Sequence, residues 1–150
     1  MVYKDTYKGK FTPKRPEKYV GKVNDIIYRS SYELRFMKWC DMNDSIRKWN
    51  SEEVIIPYYS PIDKKIHRYF VDFVIEIRDV KGAIRTYLIE VKPSVYTKEP
   101  VPPKRKTKRF LQEVVQWEVN KAKWAAATTF AEKQGWKFML ITEKDLGIVS

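Results

Sequence analysis

The sequence predicts a mixed α/β (α+β) fold, a central mixed β-sheet flanked by helices. Three observations carry that expectation: a capped amphipathic segment near residue 30, a long helix-period segment over 107–134, and β-rich apolar runs between and after them. At 150 residues the chain has the size of one domain, 1–150, and its 43% of hydrophobic residues supply a core.

The elements follow in order. Ser30-Ser31-Tyr32-Glu33 has the spacing of a capping box, Ser followed three residues later by Glu, and opens a helix to about Asp41. Leu34, Phe36, Met37 and Cys40 give that helix its apolar period. A short piece at 45–49 either extends it or forms a separate turn. Residues 54–59 read as a strand that Pro57 pushes to an edge. Residues 68–77 form one long β-rich run, 79–82 a tight turn, and 84–92 a second strand closed by Pro93, together an antiparallel hairpin. Apolar residues from Phe110 to Phe130 recur at helical spacing, and Gly135 is placed to end that helix in the left-handed conformation. A last strand covers 136–142.

Charge is unevenly spread. There are 30 Lys and Arg against 19 Asp and Glu, a net of +11. Residues 1–22 hold seven basic residues against two acids, and residues 97–109 hold six against one. Those two stretches supply nearly all of the excess. Both carry prolines, so they read as a basic N-terminal arm and a basic loop rather than helices. Aromatic residues interleaved in the arm favour a nucleic-acid partner over an anionic membrane, and Lys14, Arg15, Lys104, Arg105, Lys106, Lys108 and Arg109 are the candidate phosphate contacts. A single cysteine, Cys40, and a single histidine, His67, exclude an internal disulfide and a Cys/His zinc site. No apolar run at the start or of membrane-spanning length occurs, so neither a signal peptide nor a span is expected.

Acids interrupt the apolar patterns at three places. Glu33 shares a helix face with Phe36, Met37 and Cys40, and either turns its carboxylate toward the core or only completes the capping box with Ser30. Asp72 sits between Phe70 and Val74 in a run apolar on both faces, the pattern of a central strand. An ionised carboxylate there is costly unless a loop partner or a cation compensates it. In the next strand Leu88, Glu90 and Lys92 share one face. The midpoint of 72 and 90 is residue 81, inside the turn, so the hairpin sets Asp72 opposite or nearly opposite Glu90. Opposed like charges destabilise a sheet. A chain that juxtaposes them is suited to hold a cation, and an oxygen-only set suits Mg²⁺ or Mn²⁺. The candidate metal ligands are Asp72, Glu90 and the carbonyl of Val91. With Lys92 to orient water and stabilise developing charge, Glu33, Asp72, Glu90 and Lys92 are the candidate catalytic residues for metal-assisted phosphodiester hydrolysis.

At these residues the chain resembles the PD-(D/E)xK nuclease superfamily, whose core is a helix bearing Glu, a hairpin bearing Asp and Glu-x-Lys, then a helix and a strand. It is most similar to TnsA-like endonucleases. The matching motifs are Arg29-Ser30-Ser31-Tyr32-Glu33, Tyr69-Phe70-Val71-Asp72-Phe73, Trp124-Ala125-Ala126-Ala127 and the stretch from Gly135 to Glu143. Within that group the compact size and Tyr/Lys-rich start resemble the head completion nucleases of tailed bacteriophages. Val71 stands where the superfamily name has proline. The resemblance implies a restriction-endonuclease-like core, a Mg²⁺-dependent DNA endonuclease acting in the virion or host cytoplasm, and head or portal proteins as partners. It also suggests Gln116 as an extra site contact, against the plainer reading that it faces solvent. Two other functions remain open on the sequence: a non-catalytic DNA-binding head protein on a nuclease fold, and a junction resolvase-like nuclease. His67 reads as a loop residue, Cys40 as a core thiol, and Trp117, Trp124 and Trp136 as core.

Overall fold

Two helices sandwich a four-stranded sheet, with a smaller strand pair at one side. The structure, a computed structural model, describes residues 8–147. In chain order its elements are β1 (Gly9–Lys10), β2 (Ile27–Tyr28), α1 (Ser31–Met42), β3 (Ile46–Ser51), β4 (Ile55–Tyr59), β5 (Ile66–Phe70), β6 (Phe73–Arg78), β7 (Ile84–Val91), α2 (Lys108–Gln134) and β8 (Lys137–Ile141). The central sheet has the order β3-β6-β7-β8, and β4 pairs with β5 apart from it. Only β7 and β8 run parallel, joined by the crossover through α2. This is the mixed α+β architecture expected, consistent with a restriction-endonuclease-like core.

The helix ends follow their sequence signals. Ser30 caps α1 by accepting the Glu33 N–H at 3.1 Å, Thr107 caps α2 by accepting the Phe110 N–H at 3.1 Å, and Gly135 closes α2 at φ 76°. Each face of the sheet buries its own core. Phe73, Ile75, Ile89 and Val91 pack with Phe36, Met37 and Cys40 of α1 and with Phe11, Tyr19 and Trp49. On the other face Leu88 meets Ala127 and Ala131 of α2 together with Ile56, Tyr58, Tyr69 and Val71. Small residues at 127 and 131, both fully buried, let α2 approach the strands closely.

Three expectations are corrected. Residues 68–77 are not one strand. The chain leaves β5 at Phe70, crosses Val71 and Asp72, and enters the central sheet as β6. The loop before β4 supports this switch, because Val54 O accepts the Val71 N–H at 3.0 Å and the Glu52 N–H reaches Asp72 O at 3.1 Å. Residues 45–49 do not extend α1: Ser45 ends a short turn, and from Ile46 the chain is β3, an edge strand. A register shift between Ile46 and Lys48 lets Ile46 and Trp49, three residues apart, both face the core, which gives a strand helix-like spacing. The N-terminal arm 1–22 is packed over much of its described length, its first seven residues lying outside the described range. Phe11 and Tyr19 are core residues, and β1–β2 is an additional small ribbon.

Lys18 does most to fasten that segment. Its ammonium donates to the carbonyls of Cys40 at 2.6 Å, Asp41 at 3.1 Å and Asn43 at 2.8 Å, acceptors at the C-terminal end of α1 and its cap. Asp41 reciprocates by accepting the backbone N–H groups of Lys14 and Arg15 at 2.9 and 3.0 Å. Burial lowers the Lys18 ammonium below the usual lysine range. Lys18→Met removes three donors at once and is expected to cost about 2–3 kcal/mol in urea denaturation at pH 7. Lys14→Ala, at an exposed residue that contributes only its backbone to that network, should stay within about 0.5 kcal/mol of the parent.

Candidate active site

The site forms where the chain switches sheets. The pairing of β6 with β7 begins at Phe73 opposite Ile89, so one further step sets Asp72 opposite Glu90, as the turn-centred register predicted. Because β6 starts only after Asp72, the Val91 N–H has no strand partner on that side. The Asp72 Oδ2 accepts it instead, at 2.8 Å. On the far side β7 is held by β8, and the Lys92 N–H donates to Ile141 O at 2.9 Å. Glu90 therefore projects from a strand braced on both edges, with Lys92 one residue beyond its end.

Glu90 and Lys92 point to the α2 face and are 7% and 6% exposed. Lys92 Nζ donates to Glu90 Oε2 at 3.0 Å, while the Tyr69 hydroxyl donates to Glu90 Oε1 at 2.5 Å. Burial and the Glu90 charge push the Tyr69 phenol far above its ordinary value, so it remains a donor. Burial raises the Asp72 carboxyl well above the carboxylate range, and repulsion from Glu90 and Glu33 adds to the rise. The Val91 bond and Lys92 offset only part of it. Glu33 serves both of the roles open on the sequence. It completes the capping box, its Oε2 accepting from Ser30 Oγ at 3.3 Å, and its charge acts on Asp72. Burial and the nearby Glu52 raise it to about 7.

Three residues that the sequence reading passed over belong to this cluster. Tyr69 is the first residue of the Tyr-x-x-Asp-Phe motif and supports Glu90. Glu52, held by Arg29 at 3.0 and 3.3 Å, lies beside Glu33 and adopts φ 57°, a strained value for a side-chain-bearing residue. Lys123, on α2, sets its ammonium 5.8 Å from the Tyr58 ring and 5.5 Å from the Tyr69 ring. Burial lowers the Lys123 ammonium, and Lys92 adds to that against the pull of Glu90. A helical-face count holds its signal: Lys123 shares a face with Asn120 and Ala127, both buried.

Other candidates lie elsewhere. Gln116 does not face open solvent; it is half-buried and donates to Asn120 Oδ1 at 2.9 Å. His67 lies in β5 rather than a loop, bonds Asp63 at 2.6 Å and stacks on Tyr58. Cys40 is a buried free thiol. Lys14 and Arg15 sit at the C-terminal end of α1, with Arg15 paired to Asp44, whereas Glu33 is at the other end. Lys104, Arg105, Lys106, Lys108 and Arg109 are exposed and lead into α2.

Among the described residues no three Asp, Glu, His or Cys side chains form a metal-holding group by themselves. Asp72 and Glu90 form a smaller, carboxylate-only set. Mg²⁺ is commonly held by one or two carboxylates, with waters and substrate phosphate completing its shell. Asp72 and Glu90 supply such a pair.

Residues 43–143 match the family described as TnsA-like endonuclease N terminal. The chain belongs to this family. It is also 42% identical to the head completion nuclease of Enterobacteria phage T4, over 93% of each chain. The family match takes in Asp72, Glu90, Lys92 and α2, and begins after Glu33.

Two outcomes follow from the site. Tyr69→Phe leaves Glu90 Oε1 without its phenol donor and should cost about 1–3 kcal/mol in urea denaturation at pH 7. Glu33, raised in the folded chain, favours the folded state most while protonated. Its contribution is full below about pH 4.5 and falls as pH rises toward about 7. In EDTA, denaturation across that window should therefore show declining stability, up to roughly 3 kcal/mol from this group. Glu33→Gln, which keeps the capping geometry, should flatten the decline.

Proposed function

We propose that this chain is a Mg²⁺- or Mn²⁺-dependent DNA endonuclease of the PD-(D/E)xK type, serving a tailed phage as the T4 relative's name describes. The observation that carries the reading is a pair of opposed carboxylates, half-buried Asp72 and buried Glu90, whose mutual repulsion the ammonium of Lys92 offsets only in part. A structural ion pair gains nothing from a second acid, whereas a divalent ion relieves the repulsion and needs both.

A divalent ion bound there supplies Lewis acidity and water of lowered pKa. Asp72 and Glu90 would hold it, and the Val91 carbonyl is available beside them. In an extended strand a residue's N–H and C=O face the same side, and the Val91 N–H is already turned to Asp72. Hydrolysis forms a bond from water oxygen to phosphorus as the bond to one ester oxygen breaks. Negative charge grows on the phosphoryl oxygens and the departing oxygen. Lys92, ion-paired with Glu90, is a fixed donor for that charge. Tyr69 holds Glu90 in place, and the capped N-terminus of α1 holds Glu33 near Asp72. The exposed basic loop supplies counter-charge for the phosphates flanking the cut, and the same basic surface would meet DNA in the virion or the infected host cell.

Incubation with plasmid DNA and Mg²⁺ should give nicked or linear product. Asp72→Ala, Glu90→Ala and Lys92→Ala should each reduce the rate by at least roughly a hundredfold. Mg²⁺ should raise the melting temperature of the parent but not of Asp72→Ala, since binding to the folded state stabilises it. Undiminished cleavage in Asp72→Ala and Glu90→Ala would overturn the assignment. DNA binding without any cleavage or Mg²⁺ stabilisation would favour a non-catalytic head protein.

A further inference from the structure

Next to the carboxylate site, the segment after Lys92 and the N-terminal half of α2 enclose a cavity of about 520 Å³. Pockets of roughly 300–1,000 Å³ are the size that encloses a small organic ligand. One wall carries Tyr96 and Val101, the other Gln116, Trp117 and Asn120. Both segments that line the cavity adjoin the candidate chemistry along the chain. Its first wall starts at Ser94, two residues beyond Lys92. Its second ends at Asn120, one helical turn before Trp124, whose ring lies 5.9 Å from Lys92 Nζ. Trp117 meets Trp124 edge to face at 6.0 Å, so an aromatic line runs from Lys92 to the cavity.

The lining has three kinds of group. Tyr96 and Trp117 are flat and apolar. Trp117 is only half-buried, which departs from the expectation that it belongs wholly to the core. Gln116 and Asn120 place two side-chain amides together, with Asn120 only 2% exposed. Lys98 and Arg109 bring positive charge to the rim, where Glu99 also lies and Arg109 is balanced in part by Glu113 at 3.4 Å. A nucleotide presents the complementary set: a flat face to stack, an edge of donors and acceptors, and an anionic tether. A base inside a duplex shows neither its face nor its pairing edge, so only an unpaired one fits.

We propose that this cavity binds one unpaired nucleotide of the DNA strand being cut. The base lies against Trp117 and Tyr96, its edge meets the Gln116–Asn120 amides, and its phosphates meet Lys98 and Arg109. The proposal rests on the nuclease reading above and narrows its substrate to DNA that is gapped, frayed or bulged near the cut.

The test uses the full chain with Ca²⁺ in place of Mg²⁺ to suppress cleavage, and fluorescence anisotropy on three short labelled duplexes. One is fully paired, one carries a single unpaired nucleotide, and one carries an abasic analogue at that position. The parent should bind the unpaired nucleotide about tenfold more tightly than the other two. Trp117→Ala should abolish the difference. Val101→Glu, at a residue 84% exposed and free to change without disturbing the fold, should reduce it. Equal binding of the three duplexes, or a preference that survives both substitutions, would sink the proposal. The Mg²⁺-induced rise in melting temperature of the parent is read in parallel. If it is present and the preference absent, the cavity assignment alone fails. If it is absent, the nuclease reading fails, and a nucleotide preference would then mark a binding site without hydrolysis.

Discussion

Everything in the candidate site depends on the bond between the Asp72 carboxylate and the Val91 amide. A strand pair normally consumes its own N–H groups, and a side chain can take one only where the neighbouring strand is absent. Here β6 begins one residue late because the chain is still arriving from β5. That single-residue vacancy ties Asp72 to the strand that bears Glu90. It also makes the like-charge repulsion unavoidable: the backbone that positions the acids cannot let them part. Strain of this sort is tolerated because the rest of the sheet is well covered on both faces, by α1 with the N-terminal segment and by α2.

The distribution of positive charge reads differently once folded. The two basic stretches look equivalent along the chain, each providing a surplus of five. In three dimensions they are not. The described part of the first is fastened at the end of α1 remote from Glu33, with Lys18 turned inward and Arg15 engaged by Asp44. The second runs from the segment that follows Lys92 into the helix that bears Lys123. Proximity to the acids, rather than local surplus, separates a structural cation from one available to a phosphate. Lys123 adds a third kind, an ammonium seated over two tyrosine rings beside the acids, invisible to any count of charge.

The fold was legible wherever a local rule decided it. Ser30 and Gly135 marked helix ends, Asp79 and Gly82 the turn, and the midpoint at residue 81 gave the register that faces Asp72 with Glu90. The failures share one cause: partners distant in sequence. Nothing local says that Val54 and Glu52 will bond the backbone at residues 71 and 72, so an apolar run that switches sheets looks like one strand. A bulge likewise gives β3 a spacing that imitates a helix. Tyr69 and Lys123 were hidden because hydrophobic and helical patterns explain them adequately until the fold brings both to Glu90.

The late position of β8 has a consequence for when the site exists at all. The amide of Lys92 is satisfied by Ile141, which is synthesised 49 residues later, after the whole of α2. At roughly 5–20 residues per second, several seconds separate the two. Throughout that interval β7 is an edge strand, its outer hydrogen bonds open and the Glu90-Val91-Lys92 segment unbraced. A nascent chain thus carries every acid of the cluster without the scaffold that assembles them. Whatever chemistry the site performs is withheld until translation has passed the last strand.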